Sequence, residues 1–232
     1  VSLIIGPLEK IMKSSIPMPA VLRDDLNIID RNSQRLLFLV NQLLDFRKVE
    51  QEGITMRYAS QNIRQLLQAV CERFKPFITQ HGAHLEVEYP DADFTAMVDS
   101  EAITKMISNL LTNASKYTKD KVVLSCIVQP EQHTLVKVTD NGIGISKEDR
   151  KRIFKPFFQA MDNKPGTGIG LSIVKSIVES HNGCIEVESE INKGSSFIVT
   201  LPIEQVGAEV QEGEAGVLNP VIPEDILSET LP

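Results

Sequence analysis

The segment Asn109-Leu110-Leu111-Thr112-Asn113-Ala114-Ser115-Lys116-Tyr117 places Asn109, Asn113 and Lys116 or Tyr117 four and then three or four residues apart. On a helix these side chains share one face. An amide oxygen is a hard, neutral ligand suited to Mg²⁺, which keeps several waters and also binds phosphate oxygens. Two carboxamides and an ammonium on an otherwise apolar helix therefore suit a phosphate-bearing ligand with its metal, and they equally suit a solvated face. Asp140-Asn141-Gly142-Ile143-Gly144 follows a strand-like run. A carboxylate at a strand end can accept a hydrogen bond from an amino group such as that of adenine, while glycines let backbone approach a flat ring. Asp-Asn-Gly is also a common turn sequence. Gly166-Thr167-Gly168-Ile169-Gly170-Leu171-Ser172 opens a helix. Backbone N–H groups there face an anion, and the helix N-terminus adds partial positive charge. The segment lacks the Gly-Lys-Ser ending of a P-loop and the strand-to-helix context of a dinucleotide fingerprint, so another nucleotide fold is implied.

These groups need a scaffold, and the apolar pattern supplies one. Helices are predicted over 63–80, 101–117 (with Asp99 or Ser100 as N-cap) and 169–180, the last closed by His181-Asn182-Gly183 with the glycine left-handed. Strands are predicted near Thr55 to Tyr58 and over 85–89, 94–98, 122–128, 134–139, 184–189 and 196–201. Helices long enough to cover a sheet imply a layered α+β sandwich. Between the two glycine-rich segments lies a loop from Ile145 to Pro165, whose length suits a lid; Phe154, Phe157 and Phe158 are expected to pack it onto the domain.

Ahead of this domain, Leu22, Leu26, Ile29, Leu36, Val40 and Leu43 recur at alternating three-and-four spacing, with Ser33 in the one missing place. That is the stripe of a helix in a coiled-coil-like bundle. Ile4, Leu8 and Ile11 suggest an earlier helix, interrupted at Gly6-Pro7 and ended by the segment from Ser14 to Pro19. Residues 1–50 read as a helical hairpin. From Gln205 onward the glycine-containing acidic segment reads as a linker or tail.

The net charge of −7 is local: Glu204, Glu209, Glu212, Glu214, Glu224, Asp225 and Glu229 account for all of it. With 5% aromatic residues, no tryptophan and no basic stripe, nucleic-acid binding drops out. Cys71, Cys126 and Cys184 lie far apart without metal-ligand spacing, which suits a reducing compartment. No run approaches a membrane span and no signal peptide opens the chain, so a cytoplasmic location without membrane contact is expected.

Taken in order, the motifs resemble the N-box, first glycine box, phenylalanine box and second glycine box of sensor histidine kinases. Gly194-Ser195-Ser196-Phe197 resembles their last glycine box, with serine for the usual threonine. The resemblance implies a two-layer α/β sandwich of the Bergerat ATP-binding type, a mixed sheet covered by helices, shared with gyrase, heat-shock chaperone and mismatch-repair ATPases. The implied domains are a truncated dimerisation and phosphotransfer hairpin at 1–52, a catalytic domain at 53–204 and an acidic linker or tail at 205–232. Its implied ligands are ATP and Mg²⁺: Asn113 would hold the metal, Asp140 the adenine amino group, and Gly166, Thr167, Gly168, Ile169, Gly170 and Leu171 the phosphates. Lys116, Tyr117, Gly142, Gly144, Ile145 and Ser195 would border the nucleotide, with Asn109 and Lys116 in the catalytic roles. The implied partners are a second copy through the hairpin and a response-regulator receiver domain, possibly on the same parent chain as in hybrid kinases. The parent would be anchored in a bacterial inner membrane.

Residues 1–6 look like the run that follows the His-Glu-x-Arg-Thr-Pro phosphoacceptor box in this family, and that box is absent from the chain. His81, His84, His133 and His181 lie off the hairpin and read as structural or solvent-facing, so autophosphorylation is expected to fail. Hydrolases of the fold and the anti-sigma-factor kinases place a glutamate where this chain has Asn109. A carboxamide is no general base, so the resemblance favours transfer to a ready nucleophile such as a neutral imidazole. The competing readings are a nucleotide-binding pseudokinase that serves only to bind partners, and an ATP hydrolase of the same superfamily.

Overall fold

Why the apolar stripes form two separate bodies follows from where each finds cover. The computed structural model describes residues 2–12, 18–52, 56–90, 93–129, 133–160 and 166–204. They fall into one unit up to Arg47 and a second from Lys48 on. In the first, α1 (Ser2–Met12) runs through Gly6 and Pro7 without interruption, correcting the expected break. A proline removes one backbone hydrogen bond, and that single loss does not end the helix. The expected stop over 14–17 lies outside the described residues. Helix α2 (Ala20–Glu52) carries the heptad stripe, and Leu22, Ile29, Leu36, Val40 and Leu43 are exposed along it. Ser33, the polar member of the stripe, is buried. Among the described residues no helix is long and apolar enough to cross a membrane.

The second unit is built on β1 (Ala59–Asn62), α3 (Ile63–Gln80), β2 (His84–Glu88), β3 (Thr95–Val98), α4 (Ser100–Tyr117), β4 (Lys121–Gln129), β5 (His133–Asp140), α5 (Lys147–Arg150), α6 (Gly170–Ser180), β6 (Cys184–Glu190) and β7 (Gly194–Pro202). Strands β1 and β3 form an antiparallel pair, and the main sheet has the order β2-β4-β5-β7-β6. Only β2 and β4 are parallel, so the sheet is mixed. Alternation sets its inner face: Val122, Leu124 and Cys126 of β4, Val136 and Val138 of β5, and Phe197, Val199 and Leu201 of β7 are all buried. Against them lie Leu67 and Phe74 of α3, Met106, Ile107, Leu110 and Leu111 of α4, and Ile173, Val174 and Ile177 of α6. Each such side chain contributes about 1.5–3 kcal/mol on burial. The fold is the expected α+β arrangement of helices over a mixed sheet.

Two local expectations are corrected. The first strand is Ala59–Asn62, not residues 55–58. Thr55 lies outside the described residues, and Arg57 and Tyr58 bond to helix ends: Arg57 N donates to Asp99 Oδ2 at 2.8 Å and Tyr58 OH to the Ser180 carbonyl at 2.5 Å. At the end of α6 the left-handed residue is Asn182 (φ 54°), not Gly183. Gly183 has a different task, because a Cβ there would stand 2.5 Å from the Thr200 carbonyl oxygen.

Candidate functional site

Helix α4 is fixed at its start by Asp99, whose Oδ1 accepts from Ala102 N at 3.0 Å. From there the 3.6-residue period carries Asn109, Asn113 and Lys116 onto the face that meets the second glycine-rich segment. Asn109 Nδ2 donates to the Lys105 carbonyl at 2.9 Å. A Cβ on Gly170 would stand 2.9 Å from Asn109 Oδ1, and one on Gly166 would stand 2.7 Å from Lys116 Nζ. Between them Asn113 is half-buried and makes no side-chain hydrogen bond to the described residues. Lys116 Nζ also lies 5.1 Å from the centre of the Tyr117 ring. Burial holds the Tyr117 phenol above its usual range, in the neutral form.

Helix α6 differs from α3, α4 and α5, whose N-caps Asn62, Asp99 and Ser146 each accept a backbone N–H. Its N-cap residue, Ile169, offers no side-chain hydrogen bond. The first turn of α6 therefore presents the positive end of the helix dipole with no side-chain cap from its N-cap residue. Thr167 Oγ1 accepts the Ile169 N–H at 3.2 Å, which shapes the turn ahead of it. Gly168 is left-handed (φ 70°) and a Cβ there would stand 2.6 Å from the Phe157 carbonyl carbon.

Asp140 ends β5 and is buried. Its Oδ1 accepts from Gly142 N at 2.8 Å, and the Ser195 N–H on the facing strand also bonds to it. Burial pushes its carboxyl pKa above the usual range, and those two N–H groups oppose the shift in part. Gly142 and Gly144 answer first to the protein's own backbone. A Cβ on Gly142 would stand 1.9 Å from the Tyr117 carbonyl oxygen, and one on Gly144 (φ 70°) 2.0 Å from that of Glu190. Close approach to a flat ring is not needed to explain either glycine. Ile145 N donates to Ser189 Oγ at 2.8 Å, and Ser189 Oγ lies 3.1 Å from Ser195 Oγ.

Ser189 was not singled out by sequence reasoning. Strand register pairs it with Ser195, which is the signal that would have found it. Asn141 was likewise read only as part of a turn. Its Oδ1 accepts from Thr118 Oγ1 at 2.9 Å and its Nδ2 donates to Asp120 Oδ1 at 2.6 Å, locking the end of α4 to the start of β4.

The loop after the first glycine box holds α5 and returns to Gly166, where Gln159 Nε2 donates to the carbonyl at 2.6 Å. Residues 161–165 lie outside the described residues. The expected apolar foot of three phenylalanines is corrected at one of them: Phe157 is 60% exposed with φ 63°, Phe154 and Phe158 are half-buried, the latter under the Arg152 guanidinium at 4.5 Å, and Ile153 is the fully covered residue. Phenylalanines spaced by lysine and proline do not all reach the core. Among the described residues no cluster of three His, Cys, Asp or Glu side chains forms, so a cation held at this site would take amide, water and ligand oxygens.

Comparison with known proteins bears on the same segments. Residues 98–205 match the family described as Histidine kinase-, DNA gyrase B-, and HSP90-like ATPase. The chain is similar to sensor histidine kinase TmoS of Ectopseudomonas mendocina, with 36% identity over 208 residues that cover 87% of this chain and 21% of TmoS. It thus spans about a fifth of that relative's length. Among solved structures it is similar to full-length ShkA in complex with AMPPNP (25% identity, TM-score 0.75, covering 88% of this chain and 43% of ShkA). It is also similar to the catalytic domain of histidine kinase ThkA (28% identity, TM-score 0.58, covering 65% of this chain and 98% of ThkA's).

Proposed function

We propose that this chain, which carries a histidine kinase-, DNA gyrase B-, and HSP90-like ATPase domain and is homologous to sensor histidine kinases, binds ATP with Mg²⁺ and transfers the γ-phosphoryl group to a histidine. The phosphoryl group would then pass to a response-regulator aspartate. The observation that carries the reading is the uncapped start of α6 lying against the Asn109 and Lys116 face of α4. An anion is the natural partner of such a helix end, and the similarity to ShkA, solved in complex with AMPPNP, supports nucleotide binding.

On this reading the Gly166–Leu171 turn receives the phosphates, and Lys116 adds positive charge beside Gly166. Asp140 accepts a hydrogen bond from the adenine amino group, with Gly142, Gly144, Ile145, Tyr117 and Ser195 forming the surrounding wall. Asn113, whose side chain has no hydrogen-bond partner among the described residues, would hold Mg²⁺, which supplies charge neutralisation at the γ-phosphate. Asn109 orients against the phosphate turn and takes no proton, so the acceptor must already be nucleophilic.

The proposed domain roles are a hairpin at 1–52, a catalytic domain at 53–204 and an acidic linker at 205–232. The exposed stripe of Leu22, Ile29, Leu36, Val40 and Leu43 suits a second copy of the chain. A receiver domain is the proposed downstream partner, and a cytoplasmic position below a membrane-anchored parent the proposed location. Transfer is tested by adding γ-labelled ATP and a separate hairpin bearing the His-Glu-x-Arg-Thr-Pro box. Acid-labile label on that hairpin is expected. Steady release of phosphate with no labelled hairpin would replace transfer by hydrolysis.

A further inference from the structure

At the far ends of α4 and α6 from the phosphate turn lies a buried polar junction that the proposed chemistry does not use. His181, which ends α6, is wholly buried. Its Nδ1 lies 2.8 Å from the Ile177 carbonyl, so that nitrogen carries the proton. Nε2 is left as an acceptor, and it takes the Asp99 N–H at 3.1 Å. Asp99 in turn caps α4 with Oδ1 and accepts Arg57 N with Oδ2. Tyr58 completes the junction: its ring stands edge-on to His181 at 5.4 Å and its hydroxyl donates to the Ser180 carbonyl. Two consecutive residues of the segment leading into the domain therefore hold the start of α4 and the end of α6 together.

The two helices touch at a second point, where Asn109 meets Gly170. That point lies ten residues along α4 from Asp99 and eleven residues back along α6 from His181. At 1.5 Å per residue the contacts are about 15 Å apart on antiparallel rods. Ile107, Leu110, Leu111, Ile173 and Val174 are fully buried on these helices, and a packed core transmits a shift at one end to the other. A fully satisfied buried polar cluster specifies one register where an apolar plug would allow several.

We infer that Asp99, His181 and Tyr58 are positioning residues that register α4 against α6 from their far ends and so set how Asn109 stands to the phosphate turn at Gly170. The inference rests on the nucleotide site proposed above. It gives residues 57 and 58 a hold on that site that acts through α4 and α6.

The full chain carrying His181→Gln, His181→Asn or Tyr58→Phe tests it by calorimetric titration with ATP·Mg²⁺, with thermal melting run beside each. Asparagine can still donate to the Ile177 carbonyl but is too short to reach Asp99 N–H, whereas the glutamine oxygen reaches the Nε2 position. His181→Asn is expected to weaken nucleotide binding by about fivefold or more. His181→Gln should restore it, and Tyr58→Phe, which keeps the ring and loses one hydrogen bond, should weaken it in the same direction. Equal affinity in the Asn and Gln variants overturns the inference. Hydrogen exchange of residues 169–174 without nucleotide separates this from the functional reading. Faster exchange in His181→Asn but not in His181→Gln supports the positioning role even if the wild-type chain binds no ATP. Unchanged exchange in both variants overturns it.

Discussion

Asn109 Oδ1 occupies the space that a Cβ on Gly170 would approach to 2.9 Å, so the first residue of α6 is kept bare by a carboxamide on α4. The neighbour here is the end of a flexible side chain and not backbone, and alanine favours a helix over glycine by about 1 kcal/mol. Gly170→Ala is therefore expected to leave the melting temperature unchanged or slightly raised. By turning Asn109 away it should slow phosphoryl transfer on the proposed reading. Thermal melting and a single-turnover transfer assay on one preparation check both halves.

Gly194 and Gly142 behave differently. A Cβ on Gly194 (φ 102°) would stand 1.9 Å from the Asp140 carbonyl oxygen, and one on Gly142 equally close to that of Tyr117. Backbone must move in either case, and Gly194 adds the strain of a conformation that L side chains rarely adopt. Each alanine variant is expected to lose about 2–4 kcal/mol in urea unfolding. A loss below 1 kcal/mol would show that these carbonyls are not held where the structure has them.

Asp140 is disfavoured as a charged group, since burial raises its pKa above the unfolded value. Its folded form gains relative stability below the unfolded pKa and loses it as pH rises through the raised folded pKa. Asp140→Asn should therefore match or exceed the wild-type melting temperature at pH 7.5. Nucleotide affinity should fall about tenfold to a hundredfold, the range of a lost hydrogen bond to a charged group. Higher stability with weaker binding, from melting and titration together, is the expected signature.

Much of this arrangement is legible in the chain itself, and the reasons for the exceptions are physical. The bounds of α3 and α4 follow from apolar period and capping residues, both of which are local signals. Asn109, Asn113 and Lys116 could be placed on one face because a helix fixes the angle between them. The segment from Met56 to Tyr58 looked like strand because its side chains suit one, yet its partners are Asp99 and Ser180, far away in sequence. Gly183 looked like a helix terminator, but Thr200 on a neighbouring strand claims its bare Cα, so Asn182 turns the chain instead. The phenylalanine-rich loop shows the same limit. Apolar content said that something would anchor it, and only packing reveals that Ile153 does.

His181 gives the chain a measurable acid sensitivity. Burial lowers its pKa below 6.5, against partial opposition from the Ile177 carbonyl and Asp99. Between the lowered folded value and the unfolded value near 6.5 the unfolded chain binds more protons. The stability is fully present above 6.5 and is lost as pH falls toward the folded pKa. Urea midpoints from pH 7.5 to pH 5 should drop further for the wild type than for His181→Gln. Asp140 titrates alike in both proteins and cancels in the comparison.

The most direct test of the proposed nucleotide site is titration calorimetry of the chain with ATP, with and without Mg²⁺, in the wild type, Asn113→Ala and Asp140→Ala. Expected is wild-type binding strengthened by Mg²⁺, loss of that strengthening in Asn113→Ala, and loss of affinity in Asp140→Ala. A wild-type chain that binds no ATP at millimolar concentration, or whose binding is untouched by both substitutions, would contradict a nucleotide held between α4, the start of α6 and the end of β5.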